Sequence, residues 1–133
     1  METSYTELAL PRFRQGIIDY LDEAKRNRTI AIVFELDITD IRPAIRRYRR
    51  AKKSSLSLTT YILWVLARTL NDFKQIQAYR KGKKIIIFDD VDVSTMVERT
   101  VEGMVTTTSY VVRKANEKSL QEINDELEEA KYD

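Results

Sequence analysis

The stretch SSLSLTTYILWVLARTLNDF, residues 54–73, constrains the fold more than any other part of the chain. At helical spacing, Leu58, Ile62, Val65, Leu66 and Phe73 form one face, while Tyr61, Leu63, Trp64, Ala67 and Leu70 cover most of the rest. A helix that is apolar nearly all round belongs inside the protein or at a subunit contact. Trp64 is therefore read as core in preference to a cofactor pocket. Ser57 is placed to cap the helix, because a serine oxygen there accepts an N–H group that the first turn leaves open. The remaining elements must supply the layers that cover this helix.

PRFRQGIIDYLDEAKRN, residues 11–27, predicts an N-terminal helix, with Phe13, Ile17, Tyr20 and Ala24 on one stripe and Ile18 and Leu21 beside them. TIAIVFELDI, residues 29–38, is rich in β-branched and apolar residues and predicts a strand buried on both faces or nearly so. A helix follows from Asp40 to Lys53, capped by Thr39 or Asp40, with Pro43 in its first turn where a missing N–H costs little. Its apolar stripe is Ile41, Ala44, Ile45, Tyr48 and Ala51. Arg42, Arg46, Arg49, Arg50 and Lys53 take the remaining face, with Arg47 at the border.

Beyond residue 73 the period changes. QAYR and KIIIF flank Lys81-Gly82-Lys83, a hairpin signal. VDVSTMV alternates, placing Val91, Val93, Thr95 and Val97 on one face, and GMVTTTSYVV is a further strand, with a turn through Glu98 to Gly103 between them. SLQEINDELEEAK opens with the capping box Ser119-x-x-Glu122 and buries Leu120, Ile123, Leu127 and Ala130. The order is helix, strand, two helices, four strands, helix. This predicts one domain over residues 1–133, an α/β (α+β) sandwich with a mixed sheet and helices packed on one side.

Several chemistries are excluded by residue count. The chain has no histidine and no cysteine. It therefore lacks the commonest neutral-pH base and the usual ligands of a zinc site, and a catalytic Ser-His-Asp or Cys-His set cannot be assembled from it alone. Gly16, Gly82 and Gly103 stand alone, so no phosphate-cradling loop is present. No apolar run reaches the roughly 20 residues a membrane helix needs, and the N-terminus is not a secretory signal. The absence of cysteine fits a reducing, cytoplasmic setting.

The net charge of +2 is unevenly laid out. Residues 42–53 and 74–84 are basic, whereas Glu117, Glu122, Asp125, Glu126, Glu128 and Glu129 make the C-terminal stretch acidic. The helix from Asp40 to Lys53 raises the question of nucleic-acid binding, since basic helices neutralise phosphates. Against it, Tyr48 is spent on the apolar stripe, and the chain is bipolar where a nucleic-acid binder is globally basic. The favoured reading is a solvated arginine face, or one that meets the acidic C-terminal helix of a neighbour.

Three stretches in order, VFELDITDIRPAIRRYR, LSLTTYILWVLARTLNDFKQIQAYRKGKKIIIFDDVDVSTMVE and VVRKANEKSLQEINDELEEAK, carry a family resemblance. Glu35, Asp37 and Thr39 form Glu-x-Asp-x-Thr at a strand end. Gln77-Ala78 stands where an Asn-Ala or His-Ala is usual, and Val111-Val112-Arg113-Lys114-Ala115 matches Val-Ile-Arg-x-Ala. From about Arg12 to Lys131 the chain resembles the catalytic domain of the dihydrolipoyl acyltransferases of 2-oxoacid dehydrogenase complexes, closest to short stand-alone members.

The resemblance implies a chloramphenicol acetyltransferase-like fold, present here in part. It also implies a homo-oligomer built on trimers, with the active site between subunits. The implied reaction moves an acyl group between coenzyme A and a dihydrolipoyl-type thiol, without metal, a histidine taking the thiol proton and a hydroxyl steadying the oxyanion. The family's His-x-x-x-Asp-Gly motif and oxyanion segment lie downstream of what matches here. The expectation is thus an N-terminal half, inactive alone, with no catalytic residue assignable. Arg113 and Lys114 are the candidate contacts to coenzyme A phosphate; the competing reading places them at a strand end in solvent or in a salt bridge. The alternative function is a non-catalytic module that binds coenzyme A or assembles with a C-terminal half or full-length subunits.

Overall fold

The computed structural model describes residues 6–7, 9–10, 12–26, 30–101 and 103–132. Its elements are α1 (Arg12–Arg26), α2 (Ile41–Lys52), α3 (Leu58–Asp72), a short 3-10 turn (Lys74–Gln77), strands β1 (Tyr79–Lys81), β2 (Lys84–Ile86), β3 (Val93–Val101) and β4 (Met104–Val112), and α4 (Leu120–Glu129). They divide into two compact units, one ending at Leu36 and the other beginning at Asp37.

In the first unit α1 forms as its periodicity predicts, though its apolar positions find little cover. Ile17 and Ala24 are half-buried, while Tyr20 and Leu21 are exposed. The side chain of Phe13 lies outside the described residues, as do Pro11, Asn27 and Thr29. The predicted strand over 29–38 is not found: residues 30–38 belong to no sheet among the described residues. Ile30 is 88% exposed, Val33 97% and Phe34 68%. Apolar, β-branched composition favours a strand only where a neighbouring edge completes the ladder, and this segment meets no such edge among the described residues.

The second unit is organised on the β3–β4 hairpin, paired antiparallel from Val93↔Val112 to Val101↔Met104. Period-two alternation sends Val91, Val93 and Val97 inward. On that face lie Leu63 and Ala67 of α3 and Ile123 and Leu127 of α4, with Val112 and Ala115 completing the cluster. The helices therefore pack on one side, as expected. The turn is tighter than the predicted Glu98–Gly103. β3 runs on through Val101, because Arg99 and Thr100 find ladder partners in Thr106 and Val105. Gly103, at φ +77, supplies a left-handed corner that a side chain would strain.

The β1–β2 hairpin is also present, with Gly82 at φ +62 in its turn, but it pairs only three residues a side and is largely exposed. The α+β class holds, while the strands form two separate antiparallel pairs among the described residues, with no mixed sheet. α3 is covered on one side only. Thr60, Leu63 and Ala67 are buried, whereas Ile62, Val65, Leu66 and Phe73 remain exposed.

The helix ends follow sequence chemistry, with one correction. Ser57 Oγ accepts the Thr60 N–H at 2.9 Å. Ser119 and Glu122 form the reciprocal capping box, with Glu122 Oε2 accepting the Ser119 N–H at 2.7 Å. At α2 the N-cap is Asp40, but its side chain makes no cap bond. Its backbone is already helical (φ −81, ψ −28), not in the extended conformation that aims a cap oxygen at the first turn. Of the predicted α2 stripe, Ile45 is buried, Ile41 and Tyr48 are half-buried, and Ala44 and Ala51 are exposed.

Candidate functional site

The segments entering β3 and leaving β4 are adjacent because the hairpin is antiparallel. FDDVD, residues 88–92, leads in, and VRKAN, residues 112–116, leads out. Polar bonds lock them together. The Ala115 N–H donates to Val91 O at 2.7 Å, and the Val91 N–H donates to Asn116 Oδ1 at 2.8 Å. Asn116 Nδ2 in turn donates to Asn71 Oδ1 at 3.1 Å, tying the turn to α3. Lys114 is left-handed, at φ +50. Its N–H donates to Asp92 Oδ1 at 2.9 Å, while the Arg113 guanidinium reaches Asp92 Oδ2 at 2.5 Å.

These groups border an open trough of about 580 Å³ lined by Gln77, Phe88, Asp89, Asp90, Asp92 and Arg113. The three aspartates are matched ion for ion. Asp92 holds Arg113, Lys114 Nζ lies 3.3 Å from Asp90, and Lys74 Nζ lies 3.4 Å from Asp89. The Arg113 bond, then the Lys114 N–H, hold the Asp92 carboxyl below the usual carboxylate range. The bond to Asp90 keeps the Lys114 ammonium above the usual lysine range. Asp92 is thus ionised at neutral pH and is no proton donor there. Gln77 Nε2 is buried without an acceptor among the described residues, which leaves a donor open to a ligand carbonyl or hydroxyl.

The two sequence-predicted residues, Arg113 and Lys114, are brought side by side at the end of β4. Both are already in salt bridges, so a phosphate there must compete with Asp92 and Asp90. Of the family-motif residues, Asp37 accepts the Thr39 N–H at 2.9 Å, closing a tight turn before α2. The Thr39 side chain, then its N–H, lower the Asp37 carboxyl pKa.

A second cavity, about 360 Å³ and mostly apolar, opens between α2, α3 and α4, lined by Ile41, Ala44, Tyr48, Leu56, Tyr61 and Leu120. Tyr48 Oη donates to Gln121 Oε1 at 3.3 Å beside it. Below it, the fully buried Asn124 accepts from Thr60 Oγ1 at 3.3 Å and donates to Ser55 Oγ at 3.0 Å, clasping α4 to the start of α3. Sequence reading missed Asp92, Asn116 and Asn124. Asn124 had a signal: it follows Leu120 by four and precedes Leu127 by three, which puts an amide on the buried stripe. Asp92 had none, because only the folded Val93↔Val112 register sets it near Arg113. Among the described residues no three carboxylates converge to hold a metal ion, and no helix is long and apolar enough to cross a membrane.

The layering, with two helices on one face of a long hairpin, is shared with solved acyltransferase cores. A probable dihydrolipoamide acetyltransferase from Listeria monocytogenes matches with TM-score 0.64 at 21% identity, over 95% of this chain and 54% of that one. The cubic core of a pyruvate dehydrogenase multienzyme complex matches with TM-score 0.72 at 22% identity, over 95% and 53%. The dihydrolipoamide acetyltransferase of Azotobacter vinelandii, studied for the catalytic roles of a serine, a histidine and an asparagine, matches with TM-score 0.71 at 21% identity, again over 95% and 53%. At these identities the likeness is one of fold. The chain itself belongs to the 2-oxoacid dehydrogenases acyltransferase (catalytic domain) family, whose model matches residues 2–132. It spans about half the length of the solved structures it matches. No curated protein matches it.

Proposed function

We propose that this chain is the scaffold portion of a domain that transfers acyl groups between coenzyme A and a dihydrolipoyl-type thiol, and that the proton-accepting base comes from outside these 133 residues. One observation carries the reading: a family match over residues 2–132 coexists with a complete lack of histidine. A thiol attacks a thioester as thiolate, so a base must take its proton. Asp92 is too acidic for this task and is held by Arg113 and Lys114. The exposed apolar face of α3 supports assembly, because a surface of this kind marks a contact site. The intact catalytic unit is accordingly an oligomer, a trimer on the family pattern, with a C-terminal half or full-length subunits covering α3. The trough at Arg113 and Lys114 is the place proposed for coenzyme A phosphate, entering by exchange with Asp90 and Asp92. A non-catalytic assembly role is the second reading, favoured by the same exposed face.

The test is an acyl-transfer assay with acetyl-CoA and dihydrolipoamide. The 133-residue chain alone is expected to show no turnover above background. Mixing it with a polypeptide that carries the His-x-x-x-Asp-Gly segment is expected to yield turnover. Activity from the isolated chain would overturn the proposal, and assembly without activity in the mixture would favour the second reading.

A further inference from the structure

The cations of α2 have no carboxylate partner among the described residues: none of the ion pairs includes Arg42, Arg46, Arg47, Arg49, Arg50, Lys52 or Lys53. Arg42, Arg46 and Arg49 succeed one another at steps of four and three within α2, which sets them on one ridge, and Lys53 follows at the left-handed C-cap. Like charges at that spacing repel and weaken a helix. The ridge is also shaped: Arg42, Arg46 and Arg49, with the apolar Ile45 and Leu58, line an open trough of about 380 Å³. Arg49 is fixed there by its Nε–H bond to Leu56 O at 2.5 Å.

α4 carries the opposite pattern. Glu126 and Glu128 are paired with Lys118 and Lys131, but Glu122, Asp125 and Glu129, at steps of three and four, are exposed and form no ion pair among the described residues. The acidic row from Glu122 to Glu129 and the basic ridge from Arg42 to Arg49 each span seven residue steps, about 10 Å, so the two match in length. α2 and α4 meet within the chain through Tyr48 and Gln121, yet no ion pair joins the two rows.

We propose that the arginine ridge of α2 docks the acidic outer face of α4 on a second copy of this chain, joining copies head to tail. Such a contact uses different patches on the two partners, so it closes into a ring or extends, according to the rotation between copies. A nucleic acid fits less well. The net charge is only +2, a complementary row is present on the same molecule, and Tyr48, the helix's aromatic, is half-buried and bonded to Gln121. The proposal does not depend on acyl transfer, and no acyl donor enters its test.

Sedimentation of the 133-residue chain at low salt and at about 1 M salt, where the screening length shrinks to about 3 Å, reads the contact. Self-association is expected at low salt and should weaken about tenfold or more at high salt. Arg42→Glu with Arg46→Glu should weaken it at least about tenfold at low salt, and Asp125→Lys with Glu129→Lys likewise, since like charges then face each other. A chain carrying all four changes should associate again. If a charge-reversed chain loses its far-ultraviolet helix signal, Arg42→Gln with Arg46→Gln replaces it, with a smaller loss expected. A chain that stays monomeric at low salt, association indifferent to salt and substitution, or failure of the fourfold exchange to restore it would each overturn the proposal. So would capture of a labelled DNA or RNA duplex that the Arg42→Glu, Arg46→Glu chain loses while its self-association is unchanged.

Discussion

Residues 30–36 and residues 91–97 are both rich in β-branched, apolar side chains, and they end in opposite circumstances. Val33 is 97% exposed, while Val91 is 0% exposed. The difference lies in what each stretch meets. Residues 93–97 have a partner strand joined by a tight turn and two helices on one face. Residues 30–36 belong to no sheet among the described residues. Apolar composition creates a demand for burial, and only neighbours meet it. A second contrast runs through α3, where Leu63 and Ala67 are covered while Val65 and Leu66 are not.

The comparison is tested first where it should be strongest. Ile123 is fully buried against the hairpin, so Ile123→Ala should cost about 2–5 kcal/mol. A lower urea midpoint with unchanged slope would show it; a loss under about 1 kcal/mol would mean the core is looser than its packing suggests.

A middle-sized effect is expected at the mouth of the same hairpin. Asp92→Asn removes the charge that holds Arg113 and the Lys114 N–H, at a cost below about 1 kcal/mol because the pair is solvent-screened. The sign of the pH dependence follows from the lowered carboxyl. The Asp92 contribution is present above the ordinary carboxylate range and is lost as pH falls through its depressed folded value. Lys114 behaves oppositely, its contribution being present below the ordinary lysine range and lost as pH rises through the raised value. The stability gap between wild type and Asp92→Asn should therefore close in strong acid, and the protection of the Lys114 amide, relative to its intrinsic exchange rate at the same pH, should fall there. A gap that persists at the lowest pH would assign the effect to packing.

The smallest effect belongs to the exposed stretch. Val33→Ser should change stability by no more than about 0.5 kcal/mol, as for other open sites. A loss comparable to that of Ile123→Ala, by the same urea titration, would show that the segment is in fact covered in solution.

Much of the second unit could be read from residue order. Ser57 and the Ser119–Glu122 box marked helix starts because their oxygens have one local use. The Val91–Val97 alternation named its inner face because the pleat enforces it. Such signals are local. Legibility failed where the outcome depends on residues remote in sequence, as for the unpaired stretch near Val33. It also failed at Asn124, whose partners Thr60 and Ser55 lie 64 and 69 residues away. At the candidate site, Arg113 and Lys114 could be named in advance, but their saturation by Asp92 and Asp90 follows only from the folded register.

The clasp between Thr60 and Asn124 also sets a timetable for synthesis. Asn124 is added 64 residues after Thr60, roughly 3 to 13 seconds later at about 5–20 residues per second. The β3–β4 hairpin, once threaded clear of the ribosome, closes in about 1–10 microseconds. Until that hairpin has closed, α3 has no sheet to lie on, and its oily side stays open to any chaperone within reach.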